Sequence, residues 1–277
     1  MQKLSLGFSP CPNDTYIFDA LIHGRIRHDF EFDLHIEDVE TLNQLALNHQ
    51  LDITKISIHA WFHVLDRYRL LSSGGALGRG CGPMIISKGR SKIESGRIAL
   101  PGELTTASLL FKMAFPGDFD LVQMPFEKII PAIMDEEVDA GVIIHESRFT
   151  YRQSGLHCLL DLGKWWEDKT DCLIPLGGII ISDRIDVNVQ YKIQELIRKS
   201  IQFVEKEPEL ANDFIQWNAQ ELDRQVIESH IGLYVNEFSK DLGPEGRRAV
   251  TTLYNRSCCL GLLPEACLGK EDQLFVS

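Results

Sequence analysis

The sequence predicts an α/β protein built from two lobes that face each other across a cleft. Short apolar runs alternate with helical patterns through the first half of the chain, which is typical of βαβ units around a mostly parallel sheet. The same order of elements starts again at Arg97, and a further apolar strand follows Pro175. With 277 residues, 44% of them hydrophobic and 25% charged, the chain is long enough for one large domain or two modest ones.

The first lobe is predicted from apolar runs that switch between strand and helix spacing. Short runs of apolar residues indicate strands, and stretches with apolar residues at helical spacing indicate helices. The stretch from Gly74 to Gly82 is dense in glycine and indicates a loop where backbone passes close to another group. The expected elements are strands at residues 4–8, 30–36, 53–56 and 84–87 and helices at residues 15–22 and 39–48.

The second lobe repeats this order and two of its local features. Each opening strand runs into a proline-containing turn that feeds a helix, at residues 9–15 in the first set and 101–106 in the second. Each closing strand is entered through an apolar residue followed by Asp52 or Asp139. Such similarity is what two structurally alike lobes leave in a sequence. The expected elements are strands at residues 98–100, 121–124 and 140–144 and helices at residues 107–113 and 127–134.

The last part of the chain is predicted to return to the first lobe and end in helices. An apolar strand is expected at residues 179–181, and Asp186 or Asn188 can cap the helix that follows. Further helices are expected at residues 208–218, 222–238 and 245–260.

These elements predict two lobes joined by a hinge. We expect residues 1–88 together with 176–277 to form the larger lobe and residues 89–175 to form the smaller one. The chain then passes between the lobes twice, near residues 88–91 and near Pro175. A hinge of two connections permits closure over a ligand.

Composition and charge argue against several classes of protein. The 40 acidic residues against 28 basic ones give a net charge of -12, which disfavours a broad nucleic-acid-binding surface. No stretch approaches the roughly 18 consecutive apolar residues of a membrane span, and the N-terminus has the pattern of a strand rather than of a signal peptide. The seven cysteines are odd in number and irregularly spaced, which suits reduced thiols. We therefore expect a soluble cytoplasmic protein.

Neither a metal nor a nucleotide cofactor is predicted. His59 and His63 have a metal-like spacing, but Ala60 stands where the metalloprotease pattern needs Glu. The glycine-rich stretch lacks the Lys-Ser/Thr ending of a phosphate loop. An oligomeric state is not specified by the sequence.

Polar residues at the predicted strand ends are the candidates for a binding site. In open parallel sheets, ligands bind outside the carboxyl ends of the strands, where helix N-termini also point. If the lobes face each other, hydroxyls, Lys55 and helix N–H groups converge on one cleft and suit a carboxylate. The alternatives are that Asn13 and Thr105 or Thr106 only cap their helices, and that Lys55 pairs with a nearby acidic residue. The candidate residues are Ser9, Asn13, Lys55, Ser57, Thr106 and Ala107.

His145 is the candidate catalytic residue. It follows the apolar strand at residues 140–144, and the polar residues after it mark the point where that strand reaches the cleft. An imidazole is well suited to proton abstraction near neutral pH. A purely structural histidine remains the alternative. The sequence also leaves open which residue orients His145 and whether Arg148, Arg152, Trp165 or Trp166 touch substrate.

Several segments together resemble one known family. The chain is similar to the 1,4-dihydroxy-6-naphthoate synthases, enzymes of the futalosine route to menaquinone, and the likeness runs along nearly its whole length. The segments that carry the resemblance are residues 6–15, 37–43, 73–80, 143–151 and 234–239.

The resemblance implies a fold, a reaction and roles for individual residues. It implies a two-lobe fold like that of the type II periplasmic binding proteins, and a lyase that uses no metal or organic cofactor. His145 matches the proposed general base, and the positions of Lys55, Ile56, Ser57, Thr106 and Ala107 match those that bind substrate. The implied substrate is a small-molecule carboxylate, cyclic dehypoxanthinyl futalosine, from which a base-initiated retro-aldol-like cleavage releases a three-carbon fragment.

Two other functions stay open. Chorismate dehydratase, a sister enzyme of the same pathway and fold, is one. A cytosolic small-molecule binding protein is the other. Assays with chorismate and with the cyclic futalosine derivative would separate them.

Overall fold

Two mixed β-sheets organise the chain in the computed structural model, which describes residues 2–219 and 223–275. The strands are β1 (Gln2–Phe8), β2 (Phe30–Ile36), β3 (Ile53–Ser57), β4 (Tyr68–Leu70), β5 (Ala76–Gly78), β6 (Met84–Ser87), β7 (Arg97–Leu100), β8 (Asp120–Gln123), β9 (Ala140–Ile143), β10 (His157–Asp161) and β11 (Ile174–Ser182). The first sheet has the order β2-β1-β3-β11-β4, with β5 also paired to β11. The second sheet has the order β10-β6-β9-β7-β8.

Helices flank both sheets. The longest described helix, α8, packs against α1, and no described helix is long and apolar enough to cross a membrane. Short 3-10 turns lie at Tyr151–Ser154, Pro208–Leu210, Glu265–Cys267 and Glu271–Gln273. The helices are α1 (Pro12–Ile22), α2 (Val39–Leu47), α3 (Ile58–Trp61), α4 (Thr106–Ala114), α5 (Phe126–Met134), α6 (Ser147–Thr150), α7 (Leu162–Thr170), α8 (Val187–Lys206), α9 (Asn212–Asn218), α10 (Arg224–Tyr234), α11 (Glu237–Lys240) and α12 (Gly243–Cys259).

The two sheets share one arrangement, as the repeated element order predicted. In each, three parallel strands occur in the same order, β2-β1-β3 in the first sheet and β8-β7-β9 in the second. An antiparallel strand follows in each case, with β11 beside β3 and β6 beside β9. The predicted α/β class is confirmed, but the sheets are mixed rather than mostly parallel.

Strand β6 lies in a different place from the prediction. Residues 84–87 were expected in the first lobe, whereas β6 pairs with β9 and β10 of the second sheet. Its partners follow it by many residues, so periodicity could not identify them. The division of the chain into lobes at residues 88 and 175 stays a prediction.

The C-terminal helices broadly follow their predicted positions. Asp186 caps α8 by accepting a hydrogen bond from the backbone N–H of Asn188, as expected for one of the two candidate caps. The single helix expected at residues 222–238 is instead two helices, α10 and α11, because the backbone leaves helical geometry at Val235 and Asn236 caps the second helix. Leu222, the predicted first residue of that helix, lies outside the described residues.

Two chain segments connect the sheets and touch each other. One runs from β5 to β6 and the other from β10 through α7 to β11. They meet at Gly82 and Gly163, where a Cβ on Gly82 would lie 2.2 Å from the Cα of Gly163. Arg148 joins both segments, since it donates hydrogen bonds to the carbonyls of Gly80 and Gly82 and lies 3.3 Å from the Asp161 carboxylate. The two connections therefore form one packed unit.

One continuous apolar core links the sheets. It includes Ile56 and Ile180 from the first sheet and Ile85 and Val142 from the second, all fully buried. Tyr234 of α10 packs in the same core and extends it to the C-terminal helices. This packing brings the ends of β1, β3, β7 and β9 to opposite sides of one pocket.

Candidate active site

The strand ends of both sheets line one pocket, which is partly open to solvent. All eight residues singled out from the sequence line it, namely Ser9, Asn13, Lys55, Ile56, Ser57, Thr106, Ala107 and His145. We call Ser9, Asn13, Asp14, Lys55 and Ser57 the first-sheet wall. We call Thr106, Ala107, Phe126 and His145 the second-sheet wall. The predicted convergence of strand ends is therefore present, although the roles of these residues stay predictions.

Asp14 is the centre of the first-sheet wall. Pro12 starts α1 after a short turn that follows Phe8, the last residue of β1, and Asp14 in the first helical turn reaches back to Ser9 at the strand end. Its carboxylate accepts hydrogen bonds from the backbone N–H and the hydroxyl of Ser9, at 3.2 and 2.7 Å, and from the Asn13 amide at 2.8 Å. Asn13 is thus not a helix cap, because its side chain serves this network.

Lys55 forms a buried ion pair with Asp14. The side chains are 6% and 2% exposed, and the ammonium hydrogen-bonds the same carboxylate oxygen that accepts from Asn13. The sequence left open whether Lys55 pairs with an acidic residue or meets a substrate anion, and the acidic partner is present. Since the ion pair also lines the pocket, the ammonium can face a ligand without being an uncompensated buried charge.

Ser57 is held by a residue that the sequence analysis missed. The fully buried Asn43 of α2 accepts from the backbone N–H of Ser57 at 3.0 Å, and its amide approaches the Ser57 hydroxyl at 3.4 Å. Asn43 lies within residues 37–43, one of the segments that carry the family resemblance. That position was the signal that could have identified it from the sequence.

The second-sheet wall includes the start of α4. Thr105 caps this helix through its hydroxyl, as the structural alternative predicted. Thr106 does not cap it, because its hydroxyl donates to the carbonyl of Leu176 and accepts from the backbone N–H of His59. The N–H groups of Thr106 and Ala107 belong to the first turn and have no partner within the helix. They offer hydrogen bonds and the positive end of the helix dipole to the pocket.

His145 lies beyond the end of β9 in a left-handed backbone conformation, with φ of 61°. Its Nδ1 is buried without a hydrogen-bond partner. Burial lowers the pKa of His145 to about 4, and Asp14 partly opposes this shift whereas Lys55 adds to it. The imidazole is therefore neutral at physiological pH and has an unpartnered ring nitrogen.

Aromatic side chains surround His145. Its ring centroid lies 5.5 Å from that of Phe126, 5.7 Å from that of His230 and 6.0 Å from that of Tyr234. The rings of His145 and His230 are nearly parallel, at 9°. Tyr234 donates its hydroxyl hydrogen to the carbonyl of Cys81 and also hydrogen-bonds the backbone of His145. These contacts hold the histidine in its unusual backbone conformation.

His230 was not identified from the sequence. It lies four residues before Tyr234, which belongs to one of the segments behind the family resemblance, and this helical spacing was the only local signal. His230 is fully buried, and burial lowers its pKa well below the usual range.

One cluster of possible metal ligands is present among the described residues. Ligand atoms of His145, Glu146 and His230 lie within 4.8 Å of one another, and the ring of His230 comes within 3.6 Å of the Glu146 carboxylate. Two imidazoles that bind one ion direct their lone pairs at a common point, whereas parallel stacked rings direct them side by side. That none of these residues holds a metal stays a prediction.

Five further residues considered for the site do not line the main pocket. Arg148 binds the connecting segments, and Arg152 hydrogen-bonds the hydroxyl of Tyr151 at 3.1 Å. Trp166 is buried and donates to the carbonyl of Leu173, while Trp165 packs against the core. Cys11 is a buried thiol, and burial raises its pKa well above the ordinary value.

Comparisons with known proteins identify a family for this chain and agree with the observed fold. A family model described as menaquinone biosynthesis matches residues 4–258. The chain is 45% identical over 263 residues to a 1,4-dihydroxy-6-naphtoate synthase of Thermus thermophilus, covering 95% of this chain and 96% of the relative. It is 42% identical over 280 residues to the synthase of that name from Streptomyces coelicolor, covering 99% of both.

Solved structures confirm the predicted fold. A crystal structure of a protein from Archaeoglobus fulgidus is similar with a TM-score of 0.91 and 38% identity, covering 94% of this chain and 98% of that one. A Candida albicans protein with the generic periplasmic binding protein fold is similar with a TM-score of 0.73 and 12% identity, covering 99% and 96%. The likeness at 12% identity concerns the fold alone. From the family match and the two close relatives, the chain belongs to the menaquinone biosynthesis family of enzymes.

Proposed function

We propose that this protein is a 1,4-dihydroxy-6-naphthoate synthase. It acts as a carbon–carbon lyase that converts cyclic dehypoxanthinyl futalosine to 1,4-dihydroxy-6-naphthoate and releases a three-carbon fragment, dihydroxyacetone. The reaction uses no metal or organic cofactor. The observation that carries the proposal is a neutral, partly unpartnered histidine, His145, at the pocket between the two sheets.

His145 acts as the general base. Because burial lowers its pKa to about 4, the ring is deprotonated throughout the neutral range and can accept a proton from the sugar-derived part of the substrate. Its conjugate acid is then a strong acid that readily returns a proton during the elimination step. Aromatisation of the product drives the reaction, so one positioned base and a few hydrogen bonds suffice.

The first-sheet wall and the start of α4 bind the substrate. Lys55 and Ser57 face the pocket from β3, and the N–H groups of Thr106 and Ala107 face it from the helix. Two N–H groups and an ammonium suit the carboxylate of an aromatic acid. Apolar side chains, including Ile56, Ala76 and Leu176, line the space that would hold the rings.

Assays with two substrates test the proposal. Purified protein incubated with cyclic dehypoxanthinyl futalosine should form the naphthoate and dihydroxyacetone in equal amounts, which mass spectrometry measures. Conversion of chorismate instead would make the protein a chorismate dehydratase. Binding without conversion of either compound would leave a cytosolic binding protein.

We also propose a cytoplasmic location. The closely similar relatives are biosynthetic enzymes by name, and the sequence favours reduced thiols. Fractionation of cells that express the protein at its native level tests this, and recovery outside the cytoplasmic fraction would contradict it.

A further inference from the structure

His230 lies behind the pocket and contacts both of its walls. It is fully buried in α10 and does not line the pocket. Its Nε2 lies 2.9 Å from the Oδ1 of Asn13, which is 217 positions away in the chain. Its ring stacks against that of His145 on the other wall. One side chain thus connects the candidate base with the network that holds Lys55.

The hydrogen bonds determine where the proton of His230 lies. The Asn13 amide nitrogen donates to the Asp14 carboxylate, so the amide oxygen faces His230. An amide oxygen can only accept, and therefore Nε2 of His230 must donate. In a neutral imidazole the other nitrogen, Nδ1, is then an unprotonated acceptor. That nitrogen is buried and makes no hydrogen bond among the described residues, since its nearest acidic atom, a carboxylate oxygen of Glu146, lies 3.6 Å away.

The charge of His230 matters to its neighbour. A protonated His230 would place a positive charge against the ring of His145, whose centroid is 5.7 Å away, and would disfavour the proton transfer that a base must accept. The other charged or titratable groups near His230 are Glu146, Lys55 and Tyr234. A neutral His230 is therefore a condition for His145 to work as a base.

We propose that His230 is a positioning residue, fixed as the neutral Nε2–H tautomer, that orients the Asn13–Asp14–Lys55 network and supports the ring of His145. This inference rests on the proposed function, because it assigns His145 as the base. His230 acts through Asn13 and through ring contact, and it does not touch the substrate.

Nitrogen-15 NMR of the imidazole groups tests the tautomer without any substrate. We expect the signals of His230 to report a protonated Nε2 and a bare Nδ1 from pH 8 to below pH 6.5, the ordinary pKa of an imidazole. A protonated Nδ1 or a charged ring within this range would overturn the proposal. This result is independent of turnover, so failure of the protein to convert the futalosine derivative would affect the proposed function and leave this test intact.

Two substitutions separate the hydrogen bond between His230 and Asn13 from the ring contact between His230 and His145. His230→Gln keeps a donor near the position of Nε2, whereas His230→Phe keeps the ring shape without the donor. We expect His230→Phe to lower kcat/KM roughly 10- to 100-fold, mainly through KM, because a buried acceptor on Asn13 loses its partner. His230→Gln should stay within about fivefold of wild type in KM. Equal losses in both variants would contradict the assigned role.

Ile227→Ala is the matched control. Ile227 lies in the same helix as His230 but is buried in a separate apolar cluster with Ala20 and Val204, outside the core that links the sheets. It should lower the melting temperature without changing KM. A KM change like that of His230→Phe would mean that loosening α10 alone explains the effect. In an Asn13→Ala background, His230→Phe should cost no more than about twofold, and full additivity would show that His230 does not act through Asn13.

Discussion

On the first-sheet wall of the pocket, Asp14 accepts four hydrogen bonds, among them one from Lys55, and Asn43 holds Ser57. On the second-sheet wall, His145 has an unpartnered nitrogen, a left-handed backbone and aromatic neighbours. Both walls stand on the same strand order. The first-sheet wall is thus rich in hydrogen bonds, as suits a rigid anchor, whereas the second-sheet wall leaves a buried ring nitrogen without a partner. A shared scaffold does not impose a shared role on its strand ends.

Removing the base should have the largest effect. We expect His145→Gln to lower kcat by ~10²- to 10⁴-fold, the usual contribution of a general base, because glutamine cannot accept the proton. Binding of 1,4-dihydroxy-6-naphthoate, measured by calorimetry, should stay within about tenfold of wild type. Near-normal turnover would show that His145 is not the base, and the second-sheet wall would then have no distinct catalytic role.

Breaking the ion pair between Lys55 and Asp14 should affect both the stability of the fold and the binding of substrate. Lys55→Met leaves the Asp14 carboxylate buried without its cation, which should lower the free energy of unfolding by ~3 to 5 kcal/mol and raise KM. The double variant Lys55→Met/Asp14→Asn removes both charges and should recover much of the stability, as urea unfolding would measure, while KM stays high. If KM also recovers in the double variant, Lys55 is only a structural ion-pair partner.

Acid should lower the stability of the fold through His145 on the second-sheet wall. The pKa of His145 is about 4 in the folded protein against 6.5 as its ordinary value, so the unfolded chain binds more protons between these values. Stability is therefore complete above about pH 6.5 and falls as the pH drops toward 4, by about 3 kcal/mol from this group. Burial also lowers the pKa values of His59 and His230, so these residues add to the pH dependence of stability. Comparing the pH dependence of the melting temperature in wild type and His145→Gln isolates the contribution of His145. Identical pH dependence in the two proteins would contradict the assigned shift.

The smallest expected effect concerns the connection between the walls. Gly82→Ala places a methyl group against the backbone of Gly163 and should cost ~1 to 3 kcal/mol of stability, as overpacking does. Gly89→Ala is the control, since nothing lies within 4 Å of its Cβ position, and it should change stability by less than about 0.5 kcal/mol. Equal unfolding midpoints for the two variants in urea would show that the connecting segments separate easily.

The features that could be predicted from the sequence are those that depend on the local pattern of apolar and polar residues. The strands at residues 4–8 and 30–36 and the convergence of Ser9, Lys55 and His145 follow from apolar periodicity and from the rule for strand ends. The likeness of the two lobes was predicted because both sets of elements carry the same turns.

The missed features depend on partners that are distant in sequence. The sheet to which β6 belongs and the antiparallel direction of β11 are set by pairing, which leaves no local signal. The choice between an ion pair and a free ammonium at Lys55 required knowing where Asp14 turns. His230 looked like any buried helix residue until α10 was placed against Asn13.

The left-handed backbone of His145 has a consequence for protein engineering. A residue other than glycine held in this conformation costs the fold on the order of 1 to 3 kcal/mol, and glycine adopts it readily. Substitution of His145 by glycine would relieve that strain and abolish the base in the same step. Since glycine would also remove the ring contacts with Phe126, His230 and Tyr234, the melting temperature at this position reports strain and packing but not catalysis, and any effort to stabilise the enzyme should score turnover as well.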